Sequence, residues 1–136
     1  MKVFSRKYNE ATTLDGITLI TRGALDYKVN PTLAVGDVQI SKDGAAFTNI
    51  TTLPVVTPAA DTSVLVSPSA AEVQAKHTVV RFIDQTAPKE WEDQVIIIET
   101  FGHASAQFTG DMNNLDAAIS SRLASAGYTA PDNTGI

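Results

Sequence analysis

The chain has no cysteine, two histidines and one tryptophan among its 136 residues. Without thiols there is no disulfide framework, no thiolate zinc centre and no iron–sulfur cluster, so the core must hold by packing alone. Charge is sparse too. Asp, Glu, Lys and Arg make up 18%, against about 25% in ordinary globular domains. Long apolar runs are missing: the longest, Val95–Ile98, is far short of the roughly 20 residues of a membrane span. The opening MKVFSRKYNE is positive but has no apolar stretch of about 7–15 residues behind it, unlike a secretory signal. The expectation is a chain made in a cytoplasm, without contact to a membrane. Neither GxGxxG nor a P-loop occurs, so nucleotide binding has no support.

What is present suits one β-rich domain. Hydrophobic residues reach 43%, and a chain near 150 residues buries roughly 68–70% of its unfolded surface. Short runs of β-branched or alternating residues recur between turn residues. ITLIT (17–21), LDYKV (25–29), SVLV (63–66), HTVVRFI (77–83) and QVIIIETF (94–101) each read as a strand. The last two are apolar on successive residues, which predicts central strands with both faces largely covered. Asp43-Gly44 between DVQIS and AAFTNI predicts a tight hairpin over 37–50, because both turn residues must take positive φ. TTLPVVTP (51–58) carries two prolines and reads as an edge strand or extended crossing. Ser69 and Glu72 have capping-box spacing, which predicts one short helical turn at 70–76.

Six or seven short strands without intervening long helices point to an antiparallel β-sandwich of immunoglobulin-like type, lacking the cysteine pair of antibody domains. Phe82, Val80, Ile96 and Ile98 are expected deepest in its core. The sandwich is assigned to residues 17–108, with a basic arm at 1–16 and a helix and tail at 109–136. In that tail Leu115, Ile119 and Leu123 recur at i, i+4 and i+8, an amphipathic helical pattern capped at Asn113 or Asn114 and ended by Gly127. The stripe must bury itself on its own domain or on a neighbouring chain.

The net charge of −5 disfavours a nucleic-acid partner. It is also unevenly spread. Residues 1–28 hold five basic and three acidic side chains, a balance of +2; the remainder holds five basic and twelve acidic, a balance of −7. Such a segment suits contact with an acidic surface through Lys2, Arg6 and Lys7.

Catalytic and metal-binding sets are not apparent. His77 and His103 flank strands with no nucleophile arrangement nearby. Glu90, Glu92 and Asp93 surround Trp91, and the simplest account has Trp91 covering one end of the sandwich while the acids solvate the loop. Asp111, Asn113 and Asp116 lack the spacing of a calcium loop and suit helix capping instead. The expectation is a protein without enzymatic activity, metal or cofactor. Aromatic faces stack on sugars, so Tyr27, Trp91 and Tyr128 are the candidates for surface recognition.

Three stretches carry a family resemblance: GALDYKVNPTLAVGDVQISKDGAAFTNI (23–50), FIDQTAPKEWEDQVIIIETFGHASAQ (82–107) and LDAAISSRLASAGYTAPDN (115–133). They resemble segments of tailed-bacteriophage virion proteins, immunoglobulin-like structural domains found among head decoration (cement) proteins and head or tail fibres. The resemblance implies a virion structural protein, made in the host bacterial cytoplasm and assembled into the particle. Its partners would be the major capsid protein or other virion proteins, and it would form a dimer or trimer. Lys2, Arg6, Lys7, Leu115, Ile119 and Leu123 are then the candidate partner-binding residues. The alternative is a fibre or adaptor module that binds another virion protein or host-surface carbohydrate.

Overall fold

Alternation along the chain decides the sheets. In strand β7 (His77–Phe82) and strand β8 (Gln94–Phe101), Thr78, Val80, Phe82, Ile96, Ile98 and Thr100 are buried while the residues between them face outward. Residues 2–109 are described in this computed structural model. Ahead of these two strands come β1 (Lys2–Lys7), β2 (Leu14–Thr18), β3 (Val38–Lys42), β4 (Thr48–Asn49), β5 (Val55–Val56) and β6 (Ser63–Val66), with one 3-10 turn at Ala71–Val73. One sheet has the order β1-β8-β7-β3-β4, and the other the order β2-β6-β5. All pairings are antiparallel except β1 with β8, which is parallel. The described residues are thus mainly β, in two sheets with almost no helix.

A single core joins the sheets. Leu14, Ile17, Val64 and Val66 from the smaller sheet meet Val38, Ile40, Val80, Phe82, Ile96 and Ile98 from the larger, with Leu19, Val73 and Trp91 closing the cluster. The four residues expected deepest are all fully buried. The hairpin forms as its turn chemistry requires. Asp43 and Gly44 both have positive φ, and the Ala45 N–H donates to the Lys42 carbonyl at 2.9 Å. The capping box also forms: the Glu72 N–H donates to Ser69 Oγ and the Ser69 N–H to Glu72 Oε2, each at 3.3 Å. The second Glu72 oxygen accepts the Thr51 N–H at 2.9 Å, which accounts for a nearly buried carboxylate. β5, between the two prolines, is an edge strand as expected.

Three expectations shift. β2 starts at Leu14, three residues before the predicted strand, because Gly16 at φ +70° accommodates a bulge between Leu14 and Ile17. The bulge lets both side chains reach the core despite an odd spacing. Residues 25–29 do not form a strand: Tyr27 contributes only an isolated bridge to Ile20. Residues 2–16 are not a separate arm either, since β1 pairs along its whole length with β8 and Phe4 packs against the core. Thus no break follows residue 16. The C-terminal helix and tail expected at 109–136 lie, beyond Thr109, outside the described residues.

Candidate partner-binding surfaces

The basic residues of β1 obey the two-residue period of a strand. Lys2, Phe4 and Arg6 stand opposite Ile96, Ile98 and Thr100, the buried row of β8, and so share its inward side. Lys2 is exposed and Arg6 half-buried, and the cationic ends of both reach across the sheet edge to the backbone of residues 13–16. Lys2 Nζ donates to the Gly16 carbonyl; Arg6 donates through Nη2 to the Thr13 carbonyl at 3.1 Å and through Nη1 to the Ser5 carbonyl at 2.8 Å. The Arg6 guanidinium also lies 5.2 Å from the Phe4 ring centre. Two of the three predicted contact cations are therefore engaged in closing the open side of their own fold. Lys7 ends the strand, half-buried. Charges turned inward on an edge strand also discourage pairing with another chain. Arg6→Ala is accordingly expected to lower stability by about 0.5–1.5 kcal/mol, read as a lower thermal midpoint.

At the end of the molecule where β8 begins, two long loops are tied together. The loop before β8, residues 83–93, is organised by Asp84. This carboxylate is 1% exposed and accepts the Thr86 N–H at 2.8 Å and the Glu90 N–H at 2.6 Å. Burial pushes its pKa up, but the hydrogen bonds from the Thr86 side chain and from the backbone of Glu90, Thr86 and Trp91 outweigh that, and the group sits below the ordinary aspartate value. With the loop so shaped, Trp91 is fully buried, and its Nε1–H meets no acceptor among the described residues. As a surface-recognition residue Trp91 is thereby ruled out: the indole plugs the end of the core.

The acids beside Trp91 hold the loop between β2 and β3, residues 19–37. Glu92 pairs with Arg22 at 2.8 Å and accepts the Gly23 N–H at 3.3 Å, while Glu90 lies 3.7 Å from Lys28. Backbone bonds add the Arg22 N–H to the Glu90 carbonyl at 2.9 Å and the Glu92 N–H to the Ile20 carbonyl at 2.8 Å. At the far end of the loop, buried Asp37 accepts the Ala34 N–H at 2.8 Å and the Gln85 N–H at 2.9 Å. Besides Ile20, four large apolar side chains of this braced loop stand in solvent. Leu25 is fully exposed, Val35 is 78%, Val29 60% and Tyr27 58% exposed. Tyr27 and Ile20 border a cleft of about 370 Å³ whose other walls include Lys2, Glu92, Asp93 and Gln94.

The outer face of the larger sheet is a second surface. Val3, Ile97 and Val79 form one row across three strands, with Val95 and Arg81 in the next. Arg81 donates to Gln39 Oε1 through Nε (2.9 Å) and Nη2 (2.6 Å), with its guanidinium 3.8 Å from the Phe47 ring centre. Val79 and Ile97 are half-buried and Val3 and Val95 exposed. The described residues therefore leave open the outer side of strands expected to be covered on both faces.

Of the predicted site residues, Tyr27 is exposed at the cleft, Lys2 lines the same cleft, Arg6 and Lys7 line a smaller one beside Phe101, and Trp91 is buried. Leu115, Ile119, Leu123 and Tyr128 lie outside the described residues. Sequence reading passed over Leu25, Val29 and Val35. Leu25 and Val29 fall in the strand expected at 25–29; the available signal against it is the turn residues Gly23, Asn30, Pro31 and Gly36 on either side. Among the described residues no three His, Asp or Glu side chains gather as a metal site, and no helix is long and apolar enough to cross a membrane. Comparisons with protein-family models, curated proteins and solved structures find no match.

Proposed function

We propose that the protein is a bacteriophage virion structural protein with an immunoglobulin-like β-sandwich, acting as a head decoration or cement protein that binds the capsid shell by surface complementarity. The strand order supports the fold reading. β3, β7 and β8 correspond to the C, F and G strands of an immunoglobulin domain, β4 to C′, and β2, β6 and β5 to B, E and D on the facing sheet. Two departures are the missing cysteine pair and a core tryptophan supplied by the loop before the last strand rather than by strand C.

The observation that carries the functional reading is the loop of residues 19–37. Leu25, Tyr27, Val29 and Val35 are held out in solvent by a scaffold of ion pairs and backbone hydrogen bonds. A rigid apolar projection costs solubility unless it is covered, and it loses little conformational entropy when a partner covers it. Its neighbours Arg22, Asp26 and Lys28 supply a polar rim. The partner is the major capsid protein, and the protein is a dimer or trimer matched to local symmetry of the shell.

The test is binding to purified heads with copy number measured by mass spectrometry. The expected result is a copy number on the scale of the shell subunits, not the handful per particle of a neck or tail component. Leu25→Asp/Val35→Asp, with unchanged circular dichroism, is expected to weaken binding by about 2 kcal/mol or more, roughly 30-fold in Kd. Undiminished binding by that variant would remove the loop from the interface. A second reading rests on the cleft beside Tyr27, where a half-exposed ring adjoins Lys2, Asp93 and Gln94 as a carbohydrate subsite of a fibre module would. Glycan-array signal lost in Tyr27→Ala favours it; a silent array dismisses it.

A further inference from the structure

We propose that Asp15-Gly16, in the bulge of β2, is a modification site at which the backbone isomerises spontaneously through a cyclic imide to isoaspartate, while the fold holds the chain's other Asp-Gly pair, Asp43-Gly44, out of the same reaction. This assignment stands independently of any virion role.

An aspartate followed by glycine is prone to imide formation, because no Cβ on the second residue hinders its nitrogen from reaching the carboxyl carbon of the first. The chain carries this dipeptide twice. Both pairs are exposed, and both glycines have positive φ, +70° at Gly16 and +82° at Gly44. Sequence and exposure therefore predict similar reactivity at the two sites.

The carboxylates are held differently. Asp15 Oδ1 accepts the Gly16 N–H at 2.8 Å, and this carboxylate has no other hydrogen bond among the described residues. The nitrogen that must attack is thus already beside the group it attacks. Asp43 faces another strand instead. Its Oδ1 accepts the His77 N–H at 3.1 Å and its Oδ2 the Lys76 N–H at 3.2 Å, with His77 Nδ1 3.8 Å from Oδ1. The Asp43 N–H donates in turn to the His77 carbonyl at 3.1 Å. For Asp43 to turn its carboxyl carbon toward Gly44, both side-chain bonds must break and two backbone donors lose their acceptors.

The reaction needs only water. The Gly16 nitrogen bonds to Cγ of the Asp15 carboxylic acid, and the amide proton leaves with the carboxyl hydroxyl as water. Water then reopens one of the two imide C–N bonds. Breaking the bond to Cγ restores aspartate; breaking the bond to the main-chain carbonyl carbon gives isoaspartate, with the chain running through Cγ. The product places one extra carbon in the bulge that spaces buried Leu14 from buried Ile17, and it displaces the Gly16 carbonyl that accepts Lys2 Nζ.

The test counts passages through the imide. The full chain is held for several weeks in warm, weakly acidic buffer made with ¹⁸O water, folded in one arm and in guanidinium in the other, and label at each aspartate is read by peptide mass and fragmentation. The expected result is several-fold more label at Asp15 than at Asp43 in the folded protein, and similar label at both in denaturant. Asp15→Glu, whose imide would need a six-membered ring, is expected to lose the label at position 15 alone. Equal labelling of the two sites in the folded protein, or no label at Asp15, would overturn the proposal. So would an excess at Asp15 that persists in denaturant, because neighbouring sequence rather than the fold would then set the difference.

Discussion

Trp91→Ala should be the most damaging single substitution at the loop end, destabilising the fold by about 3–5 kcal/mol. Three features combine there. The indole is fully buried in the core cluster with residues from both sheets, so truncation leaves a large cavity under the loops. The Trp91 backbone also bridges Thr21, so any collapse is passed to the loop of residues 19–37. Its neighbours Glu90 and Glu92 carry the ion pairs to Lys28 and Arg22, which depend on the same backbone course. Against a total stability of about 5–15 kcal/mol, such a loss lowers the thermal midpoint by on the order of 10–20 °C. Trp91→Phe is expected to cost much less, because it retains most of the ring volume and removes an N–H that has no acceptor among the described residues. Thermal denaturation of the two variants decides the matter. An alanine variant that melts like the wild type would mean that the indole is not the plug of the core.

The second large effect belongs to Asp84 and depends on pH. Removing its carboxylate in Asp84→Ala leaves the Thr86 and Glu90 N–H groups without their acceptor; with Glu90 half-buried and Thr86 exposed, the loss is about 1–3 kcal/mol in all. Asp84→Asn retains one oxygen but turns an amide N–H₂ toward one of these donors, so it loses less. The folded-state pKa is depressed, so the stabilisation is fully present above the unfolded aspartate value of about 3.9 and disappears as pH falls through the folded value. The stability difference between wild type and Asp84→Asn should be constant from about pH 5 to 7 and narrow below about pH 4. Denaturant titrations across that range test it, and a difference that widens on acidification would reverse the assigned sign. Protonation also loosens residues 84–90, whose Gln85 and Glu90 bond the loop that carries Leu25 and Val35, so binding through that loop should weaken in the same acid range.

The parts of the fold that were legible in sequence are those decided locally. Asp43-Gly44 makes its turn because two adjacent residues tolerate positive φ, and Ser69 with Glu72 caps a turn three residues long. β6 and β8 begin and end where their β-branched runs do. Misreadings arose where a distant contact overrode local pattern. Lys2 and Arg6 look like the charges of a solvated arm, yet they lie on the inward side of β1 because segment 13–16 offers them carbonyl acceptors across the gap between sheets. Trp91 among Glu90, Glu92 and Asp93 resembles a rim residue; Glu92 and Glu90 face Arg22 and Lys28, about 60–70 positions earlier, and the ring turns inward.

By itself the sequence determined what the chain cannot use, thiols above all, and it determined the strand period, the hairpin and the capped turn, because these depend on neighbours within a few residues. Tertiary structure alone decided which cations bridge the sheets, that the single tryptophan seals the core, and that Leu25 and Val35 stand on a braced loop in solvent. The physical reason is that burial and exposure are properties of contacts between residues far apart in the chain. No local pattern of charge or hydropathy specifies which distant segment will be there to meet a side chain.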